Sequence, residues 1–289
     1  MIFKMSVKTK IFLLIAGIIL AVSTIPVFLF FYNPPKDLRA YFLDVGQGDS
    51  ILIKTPSGQN VLIDGGPNGD VIKELGKVLP WWDRKIDLMV LTHPHDDHVG
   101  GLVNAAKRYD IKRILYTGVL HTGPAYLDWL ELARKKKIAA VIIDRPQTID
   151  LGGDCRLEIL WPKENLAGRT ADNLNNTSIV IKLIYGRTKF LLTGDAETEV
   201  EKKLLEDKAD LRADVLKVGH HGSDNATSEE FLKAVSPQMA VIEVGKNNDF
   251  GHPSGRVLKR LERLGARIWR TDIDGAVTLV SDGEKIEKR

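Results

Sequence analysis

Three of the seven histidines in this chain fall within six residues, in the segment Thr92-His93-Pro94-His95-Asp96-Asp97-His98. Imidazole and carboxylate groups are the ligands that zinc prefers, and manganese and iron accept them as well. Successive side chains alternate along an extended loop, so His93 and His95 can hold one ion. Asp97 and His98 are adjacent, just before a predicted helix, and they can hold a second. The segment therefore predicts a metal centre, whereas a solvated polar loop is the less favoured interpretation.

Short apolar runs separated by helical patterns predict the elements that position these ligands. The predicted strands are 39–45, 50–55, 60–64, 88–92, 113–116, 140–143, 156–161, 178–184, 189–193, 214–218, 239–244, 267–270 and 276–281. The predicted helices are 71–78, 101–109, 125–136, 197–207, 228–235 and 254–264. Strands cluster early and late, which favours two packed sheets covered by helices over a single parallel sheet. No long polar linker interrupts residues 38–289, so they are predicted to form one domain.

Three further segments place a polar residue directly after a predicted strand. They are Leu62-Ile63-Asp64-Gly65-Gly66, Leu191-Leu192-Thr193-Gly194-Asp195 and Val218-Gly219-His220-His221-Gly222-Ser223. Together with the histidine segment, and in the same order, they resemble the metallo-β-lactamase fold superfamily, whose signature is His-x-His-x-Asp-His. The resemblance implies an α/β (α+β) fold, an αββα sandwich of the metallo-β-lactamase type.

Additional motifs are similar to the hydrolase domain of ComEC-type competence proteins, which act in DNA uptake. These motifs are Phe42-Leu43-Asp44-Val45-Gly46-Gln47-Gly48-Asp49-Ser50, Asn175-Asn176-Thr177-Ser178, His220-His221-Gly222-Ser223, Gly251-His252-Pro253-Ser254 and Arg270-Thr271-Asp272 with Asp274-Gly275-Ala276-Val277. The resemblance covers about residues 39–285. A full transporter of that family has many membrane spans and this sequence predicts one, so the transport role does not carry over.

The resemblance implies a ligand set for one or two divalent ions, with Zn²⁺ expected before Mn²⁺. Metal one would take His93, His95 and a shared Asp195, whereas metal two would take Asp97, His98, Asp195 and His220. Many members of the superfamily complete metal one with a further histidine. This sequence offers Asn176 in the corresponding stretch, so either Asn176 or water would fill that position.

The last ligand position has two candidates. The superfamily places the ligand directly after a glycine that ends a strand, which favours His220 over His221. His221 would then contact a ligand or act as a proton donor. His252, in its Gly-His-Pro loop, is expected to contact the substrate or the leaving group, and Asp97, His221 and His252 form the predicted catalytic set.

Five other residues are expected to support the site or to contact the substrate: Asp44, Asp64, Asn176, Ser178 and Ser223. Asp44 and Asp49 are expected to fix the glycine-rich turn near the site. Asp64 is expected to brace the histidine loop. Ser178 and Ser223 belong to the motifs that carry the resemblance.

Residues 11–32 contain no charged residue. About 20 apolar residues suffice to cross a bilayer as a helix, so this segment is predicted to be a transmembrane anchor. A cleaved signal peptide and a buried core helix are the alternatives. Three lysines precede the span, which favours a cytoplasmic N-terminus and an extracytoplasmic body. The predicted organisation is a short basic segment at 1–10, the anchor at 11–32, a linker at 33–37 and the hydrolase domain at 38–289.

The composition of the 289 residues, 44% hydrophobic and 27% charged, excludes wholesale disorder. A single cysteine, Cys155, excludes an internal disulfide and a multi-cysteine zinc ribbon. The net charge of +3 decides nothing about nucleic-acid binding.

The sequence thus predicts a membrane-anchored metal-dependent hydrolase, a phosphodiesterase or nuclease that acts on single-stranded DNA or a related phosphodiester through metal-activated hydroxide. A separate DNA-uptake channel is the expected partner, and the expected location is the cell membrane, with a single span. Alternatives are hydrolysis of an envelope lipid or wall-polymer phosphodiester, and a non-catalytic accessory subunit of a DNA-uptake system. A β-lactam substrate is the weakest alternative, because a fold alone does not choose the chemistry.

Overall fold

The computed structural model describes the backbone of residues 6–32 and 36–289, together with all of their side chains except those of 26–32. The chain divides into two compact units, Met1–Lys36 and Asp37–Arg289. Parts of the predicted basic segment (residues 1–5) and of the predicted linker (residues 33–35) lie outside the described residues.

The described part of the chain forms eight α-helices and 17 strands. The helices are α1 (Val7–Tyr32), α2 (Asp70–Val78), α3 (Asp96–Arg108), α4 (Pro124–Lys135), α5 (Thr198–Glu206), α6 (Glu229–Val235), α7 (Gly255–Leu264) and α8 (Thr271–Asp274). The strands are β1 (Leu38–Phe42), β2 (Ile51–Lys54), β3 (Asn60–Ile63), β4 (Lys85–Ile86), β5 (Leu88–Val90), β6 (Asp110–Ile111), β7 (Arg113–Tyr116), β8 (Ala139–Ile142), β9 (Gln147–Gly152), β10 (Cys155–Trp161), β11 (Val180–Tyr185), β12 (Thr188–Leu192), β13 (Val215–Lys217), β14 (Met239–Ile242), β15 (Arg267–Arg270), β16 (Val277–Ser281) and β17 (Ile286–Lys288). Short 3-10 helices occupy Asn175–Thr177 and Gly219–Gly222.

Helix α1 is long and apolar enough to cross a membrane. Its stretch Val7–Ile25 has a mean hydropathy of 1.9, and none of it is buried. The helix begins at Val7, four residues before the predicted span, so Lys8 and Lys10 lie in its first turns.

Two sheets form the centre of the body. One has eight strands in the order β17-β16-β1-β2-β3-β5-β7-β8, and the other has seven in the order β15-β14-β13-β12-β11-β10-β9. Strands β4 and β6 form a small separate pair. Within the first sheet β3, β5, β7 and β8 run parallel, and within the second β12, β13, β14 and β15 do.

Alternating side chains of the first sheet enter two different cores. Ile53 and Val61 join residues of the second sheet such as Phe190 in the core between the sheets, whereas Leu52 and Leu62 pack with the helices on the outer face. A third core joins the outer face of the second sheet to the later helices. Alternate residues are therefore buried on both faces of each sheet: the inner faces pack on each other and the outer faces pack on helices. The four-layer αββα sandwich predicted from the sequence is confirmed.

The polar residues of interest follow strands that run in the same direction. Asp64 follows β3 and His93 follows β5, whereas Asp195 follows β12 and His220 follows β13. Because parallel neighbours end at the same edge of a sheet, each sheet presents its polar residues along one edge.

Candidate metal centre

Asp195 is the residue on which the polar side chains converge. Its carboxylate is buried, and Oδ2 lies 3.3 Å from Nε2 of His98 and 3.4 Å from Nε2 of His221. The same oxygen lies 3.9 Å from Nε2 of His93 and 3.9 Å from Nε2 of His220. One carboxylate oxygen therefore faces four imidazole rings contributed by both sheets, the arrangement expected of a ligand shared between two ions.

The tightest group of potential ligands consists of Asp97, His98, Asp195 and His221, whose ligand atoms all lie within 4.8 Å of one another. Oδ2 of Asp97 is 3.3 Å from Nε2 of His221 and 3.9 Å from Nε2 of His98. Asp97 is partly exposed and the other three are buried. The group is therefore open to solvent on the Asp97 side.

The ring orientations of His98 and His221 suit a divalent cation. Nδ1 of His98 lies 2.8 Å from Oδ2 of Asp64, and Nδ1 of His221 donates to the carbonyl oxygen of Glu243 at 2.8 Å. Both acceptors bind the Nδ1 proton, which leaves Nε2 for a metal. The two Nε2 atoms are buried and have no hydrogen-bond partner among the described residues. Two unpaired ring nitrogens facing two carboxylates fit a cation.

The prediction that His220 joins Asp97 and His98 differs from the structure, which places His221 in that group instead. Both histidines adopt left-handed backbone conformations, with φ of 48° and 53°, within the 3-10 turn after β13. This turn carries His221 to Glu243 at the end of the neighbouring strand. His220 points elsewhere, with Nδ1 3.4 Å from Glu197 and Nε2 3.4 Å from Nδ2 of Asn175.

The charges of the buried groups shift the pKa values of the histidines and of Asp195. Burial disfavours charge on His98 and His221, but Asp195 and the other nearby carboxylates outweigh burial and raise the pKa of both rings well above the ordinary value. Burial likewise disfavours charge on Asp195, yet His221 and His98 hold the pKa of its carboxyl well below the usual range. The site therefore stabilises positive charge at the position a cation would take.

A buried lysine supports the two inner carboxylates. The Lys217 ammonium, on β13, forms an ion pair with Asp49, lies 3.8 Å from Oδ1 of Asp195 and donates to the carbonyl oxygen of Gly194 at 3.1 Å. Burial disfavours its charge, but Asp49 and Asp195 raise the pKa of Lys217 above the ordinary value. Lys217 was not among the predicted site residues, although a lysine within an otherwise apolar strand is a signal for such a role.

Glu243, at the end of β14, was missed as well. Its side chain accepts a hydrogen bond from the Ser50 amide at 2.9 Å. Burial and the nearby Asp49 raise the pKa of the Glu243 carboxyl well above its usual range. The carbonyl oxygen of Glu243, in turn, orients the ring of His221.

His93 and His95 form a second, adjoining part of the site. Nε2 of His93 lies 3.0 Å from Nδ1 of His95, and its Nδ1 faces the hydroxyls of Thr92 and Ser178 at 3.2 and 3.3 Å. Burial lowers the pKa of both histidines, so their neutral forms, which bind metals, are favoured. His121 packs beside His95, with ring centroids 6.5 Å apart.

Asp64 and Ser178 contact the proposed ligands directly. Asp64 accepts hydrogen bonds from the amide and the hydroxyl of Thr92 at 2.8 and 2.6 Å, besides its contact with His98. The Ser178 hydroxyl accepts from the Asp195 amide at 3.1 Å and faces His93. Each residue thus fixes one ligand segment relative to another.

The remaining four predicted site residues, Asn176, Asp44, Ser223 and His252, belong to neither group of proposed ligands. The Asn176 side chain accepts a hydrogen bond from the Glu197 amide and donates one to the Glu199 carboxylate at the start of α5. Its neighbour Asn175 is the residue that turns toward His220. Asp44 is exposed and accepts from the Gly46 amide at 3.5 Å. Ser223 accepts from the Asn225 amide at 3.4 Å. His252 is partly exposed, and its ring centroid lies 5.8 Å from that of His220.

Glycines bring α3, and with it Asp97 and His98, against the loop that follows β3. The Gly101 amide donates to the carbonyl oxygen of Gly66, and the Gly65 amide donates to that of His98, both at 2.8 Å. A Cβ atom on Gly101 would lie 1.8 Å from the carbonyl oxygen of Gly65, and one on Gly100 would lie 2.1 Å from that of Pro67. Only glycine permits this approach.

An αββα sandwich with histidines and aspartates at the strand ends defines a class of metal-binding folds. The family model of the metallo-beta-lactamase superfamily matches residues 43–242, and the chain belongs to that superfamily.

The curated relatives include proteins named for recombination and for competence. ComE operon protein 3 of Bacillus subtilis (strain 168) is 32% identical over 86% of this chain and 34% of its own length. Recombination protein 2 of Haemophilus influenzae is 31% identical over 94% of this chain and 32% of its own. Competence protein ComA of Neisseria gonorrhoeae is 29% identical over 84% and 32%. The resemblance to competence proteins is confirmed, and the chain spans about a third of the length of these relatives.

Solved structures share the fold at low identity. The diiron beta-hydroxylase CmlA from Streptomyces venezuelae has a TM-score of 0.55 at 16% identity, over 85% of this chain and 54% of its own. The metallo hydrolase Igni18 from Ignicoccus hospitalis has a TM-score of 0.53 at 14% identity, over 83% and 98%. At this identity they show the fold alone.

Proposed function

We propose that this protein is a membrane-anchored, metal-dependent phosphodiesterase that hydrolyses DNA or a related phosphodiester. The observation that carries the proposal is the buried group of Asp97, His98, Asp195 and His221, with two unpaired Nε2 atoms. A scaffold has little need for a metal group that opens to solvent on one side. The names of the curated relatives favour DNA over other phosphodiesters.

Each residue of the group has a proposed task. His98, His221 and Asp97 would hold one divalent ion, and Asp195 would hold it jointly with a second. A bound divalent cation supplies Lewis acidity and lowers the pKa of a coordinated water from 15.7 to about 7. The partly exposed Asp97 borders the solvent-open side, where a phosphodiester would enter. His252, at the rim, is placed to donate a proton to the leaving group.

We propose that His220, and not Asn176, completes the metal site of His93 and His95. Nε2 of His220 and Nε2 of His93 lie at the same distance, 3.9 Å, from Oδ2 of Asp195. The Asn176 side chain is already engaged at the start of α5. Zn²⁺ is the ion we expect first and Mn²⁺ second, because three imidazoles and a carboxylate suit both.

The proposed location is the cell membrane, with residues 11–32 as a single-pass anchor, 33–37 as a linker and 38–289 as an extracytoplasmic hydrolase domain. The length and apolar composition of α1 support the anchor, and Lys8 and Lys10 at its start support the orientation. A DNA-uptake channel formed by other chains is the proposed partner.

The test uses the full chain in nanodiscs, depleted of metal and then reconstituted with Zn²⁺ or Mn²⁺. We expect metal-dependent cleavage of single-stranded DNA by the wild type, and none by the Asp195→Asn variant. The proposal fails if the wild type, with metal bound, leaves both DNA and bis(4-nitrophenyl) phosphate intact.

The same preparation tests the alternatives. Cleavage of phospholipid head groups or of a glycerol-phosphate polymer, with DNA left intact, would favour an envelope substrate. An accessory role would be favoured if a variant combining Asp97→Ala and His98→Ala supported DNA uptake in cells as well as the wild type does.

A further inference from the structure

Phe250 is an exposed aromatic residue beside the metal centre. Its side chain is 69% exposed, which is unusual for phenylalanine, and it lies in the loop between β14 and α7. The ring stacks on that of His252, with centroids 5.8 Å apart and an interplanar angle of 17°. One face of Phe250 is therefore backed by His252, and the exposure indicates that the other face is open.

The loop that carries Phe250 is held in place by one asparagine. The Asn248 side-chain oxygen accepts hydrogen bonds from the amides of Phe250 and His252, at 3.2 and 3.0 Å. Its Nδ2 donates to the carbonyl oxygens of His252 and Gly245, at 2.7 and 3.0 Å. The four bonds fix the loop around Asn248, so the phenyl ring is presented at a defined position and little entropy is lost when a ligand binds it.

A row of rings leads from the metal centre to Phe250. Nε2 of His220 lies 3.9 Å from Oδ2 of Asp195, and the ring centroid of His252 lies 5.8 Å from that of His220. Phe250 follows at the outer end of the row. Because His220 and His252 stand between Asp195 and Phe250, a strand with one phosphate at Asp195 would reach the open face of Phe250 with a base further along the strand.

We infer that Phe250 is a stacking platform for a nucleobase of a single strand whose scissile phosphate lies at the metal centre. The inference rests on the proposed phosphodiesterase function and names the substrate as single-stranded nucleic acid. Base–aromatic stacking contributes about 1–3 kcal/mol per base and tolerates any sequence, because every base has a π face. A lipid head group or a glycerol-phosphate polymer has no planar ring to place there.

The experiment measures binding and cleavage separately. Binding is measured by the fluorescence anisotropy of a labelled single-stranded oligonucleotide, titrated with the metal-loaded full chain. Its phosphorothioate linkages resist hydrolysis. A matched oligonucleotide has abasic sugars in place of its bases. We expect Phe250→Ala to raise Kd for the first about 10-fold, a change equivalent to about 1.4 kcal/mol, and to leave Kd for the second unchanged.

Two variants control the measurement. Phe250→Trp keeps a stacking surface and is expected to bind within about 2-fold of the wild type. Trp82→Ala removes another exposed aromatic, 64% exposed, from the loop before β4, and is expected to leave both Kd values unchanged. Equal metal content in all variants shows that the centre is intact.

The outcomes separate the two proposals. If the wild type cleaves DNA but Phe250→Ala binds both oligonucleotides as the wild type does, the stacking inference is wrong. It is also wrong if the variant weakens binding of the abasic oligonucleotide equally. If Kd shifts as expected but no DNA is cleaved with metal bound, nuclease function fails while the stacking site stands.

Discussion

Oδ2 of Asp195 lies 3.4 Å from Nε2 of His221, although the two residues follow different strands of the second sheet. Strands β12 and β13 are parallel neighbours, so their carboxyl ends bring the carboxylate and the imidazole together. The contact joins Oδ2 of Asp195, which faces four histidines, to His221, which the sequence pattern did not favour as a metal ligand.

Replacing Asp195 with asparagine should empty the metal centre. The amide keeps the shape but loses the negative charge that two ions would share, so we expect bound metal to fall below one ion per chain. Hydrolysis should fall at least about 100-fold. Elemental analysis of the purified variant measures the first effect. Asp44→Asn, at an exposed carboxylate, is the control, and an Asp195→Asn protein with wild-type metal content would contradict the shared-ligand role.

The two adjacent histidines should affect different ions. His221→Gln removes a ligand from the group of four and should weaken metal binding there at least about 10-fold. His220→Gln should leave that group intact and lower occupancy of the site of His93 and His95. Calorimetric titration of the metal-free protein distinguishes the two binding steps. Loss of the same step in both variants would contradict the assignment.

Removing the Lys217 ammonium should destabilise the metal-free protein. Lys217→Met removes the ammonium that pairs with the buried Asp49 carboxylate, and loss of one member of a buried ion pair typically costs about 3–5 kcal/mol. Adding Asp49→Asn to that variant should restore part of the loss. Urea unfolding in the presence of a chelator measures both.

Lys182→Met is the matched control for Lys217. Its side chain is equally buried, but its partner Asp210 is mostly exposed, so the remaining carboxylate stays hydrated. We expect a smaller loss of stability, and equal losses in the two variants would argue against a special role for Lys217.

The metal-free protein should lose stability in alkali. The pKa values of His98 and His221 are raised in the fold, so the charged rings contribute stability that is complete below about pH 6.5 and is lost as pH rises through the raised values. The lowered pKa of Asp195 acts oppositely: its contribution is present above about pH 4 and is lost in stronger acid. The free energy of unfolding, measured in chelator from pH 7 to 10, should fall toward high pH, and less steeply in His221→Gln.

The affinity for metal should depend on pH in the opposite direction to the stability of the metal-free protein. A cation displaces the Nε2 protons of His98 and His221, so its affinity should rise over the range in which the metal-free protein weakens. A metal affinity that is constant from pH 6 to 9 would contradict this coupling between the protons and the metal.

Most of the fold could be predicted from the sequence, because periodic burial determines it. The strand around Met89 is continuous and apolar; its predicted start coincides with the observed one, Leu88, and its predicted end lies two residues beyond Val90. The start of α3 was misplaced, since the helix begins at Asp96, five residues before the predicted start. Two acidic residues favour a first turn, and the glycines that suggested a helix start serve close packing instead. Strands β4, β6, β9 and β17 and helix α8 were not predicted.

The position of a candidate ligand was predictable where it lies just beyond the end of a strand, as Asp195 lies three residues after β12. It was not predictable where the backbone departs from regular structure, because two consecutive residues with positive φ change which of His220 and His221 faces the centre. Lys217 and Glu243 could not be placed, since their roles depend on contacts between distant segments.

The contact of Gly100 and Gly101 with the loop after β3 has a consequence for reading mutational data. Neither residue has a side chain that could bind or react, yet a methyl group on either would push α3 outward and take Asp97 and His98 with it. A saturation scan scored on function would rank these two positions with the histidines themselves. Intolerance to substitution in this protein would therefore mark residues that touch the reacting groups. It would equally mark glycines at which close backbone contact leaves no room for a side chain.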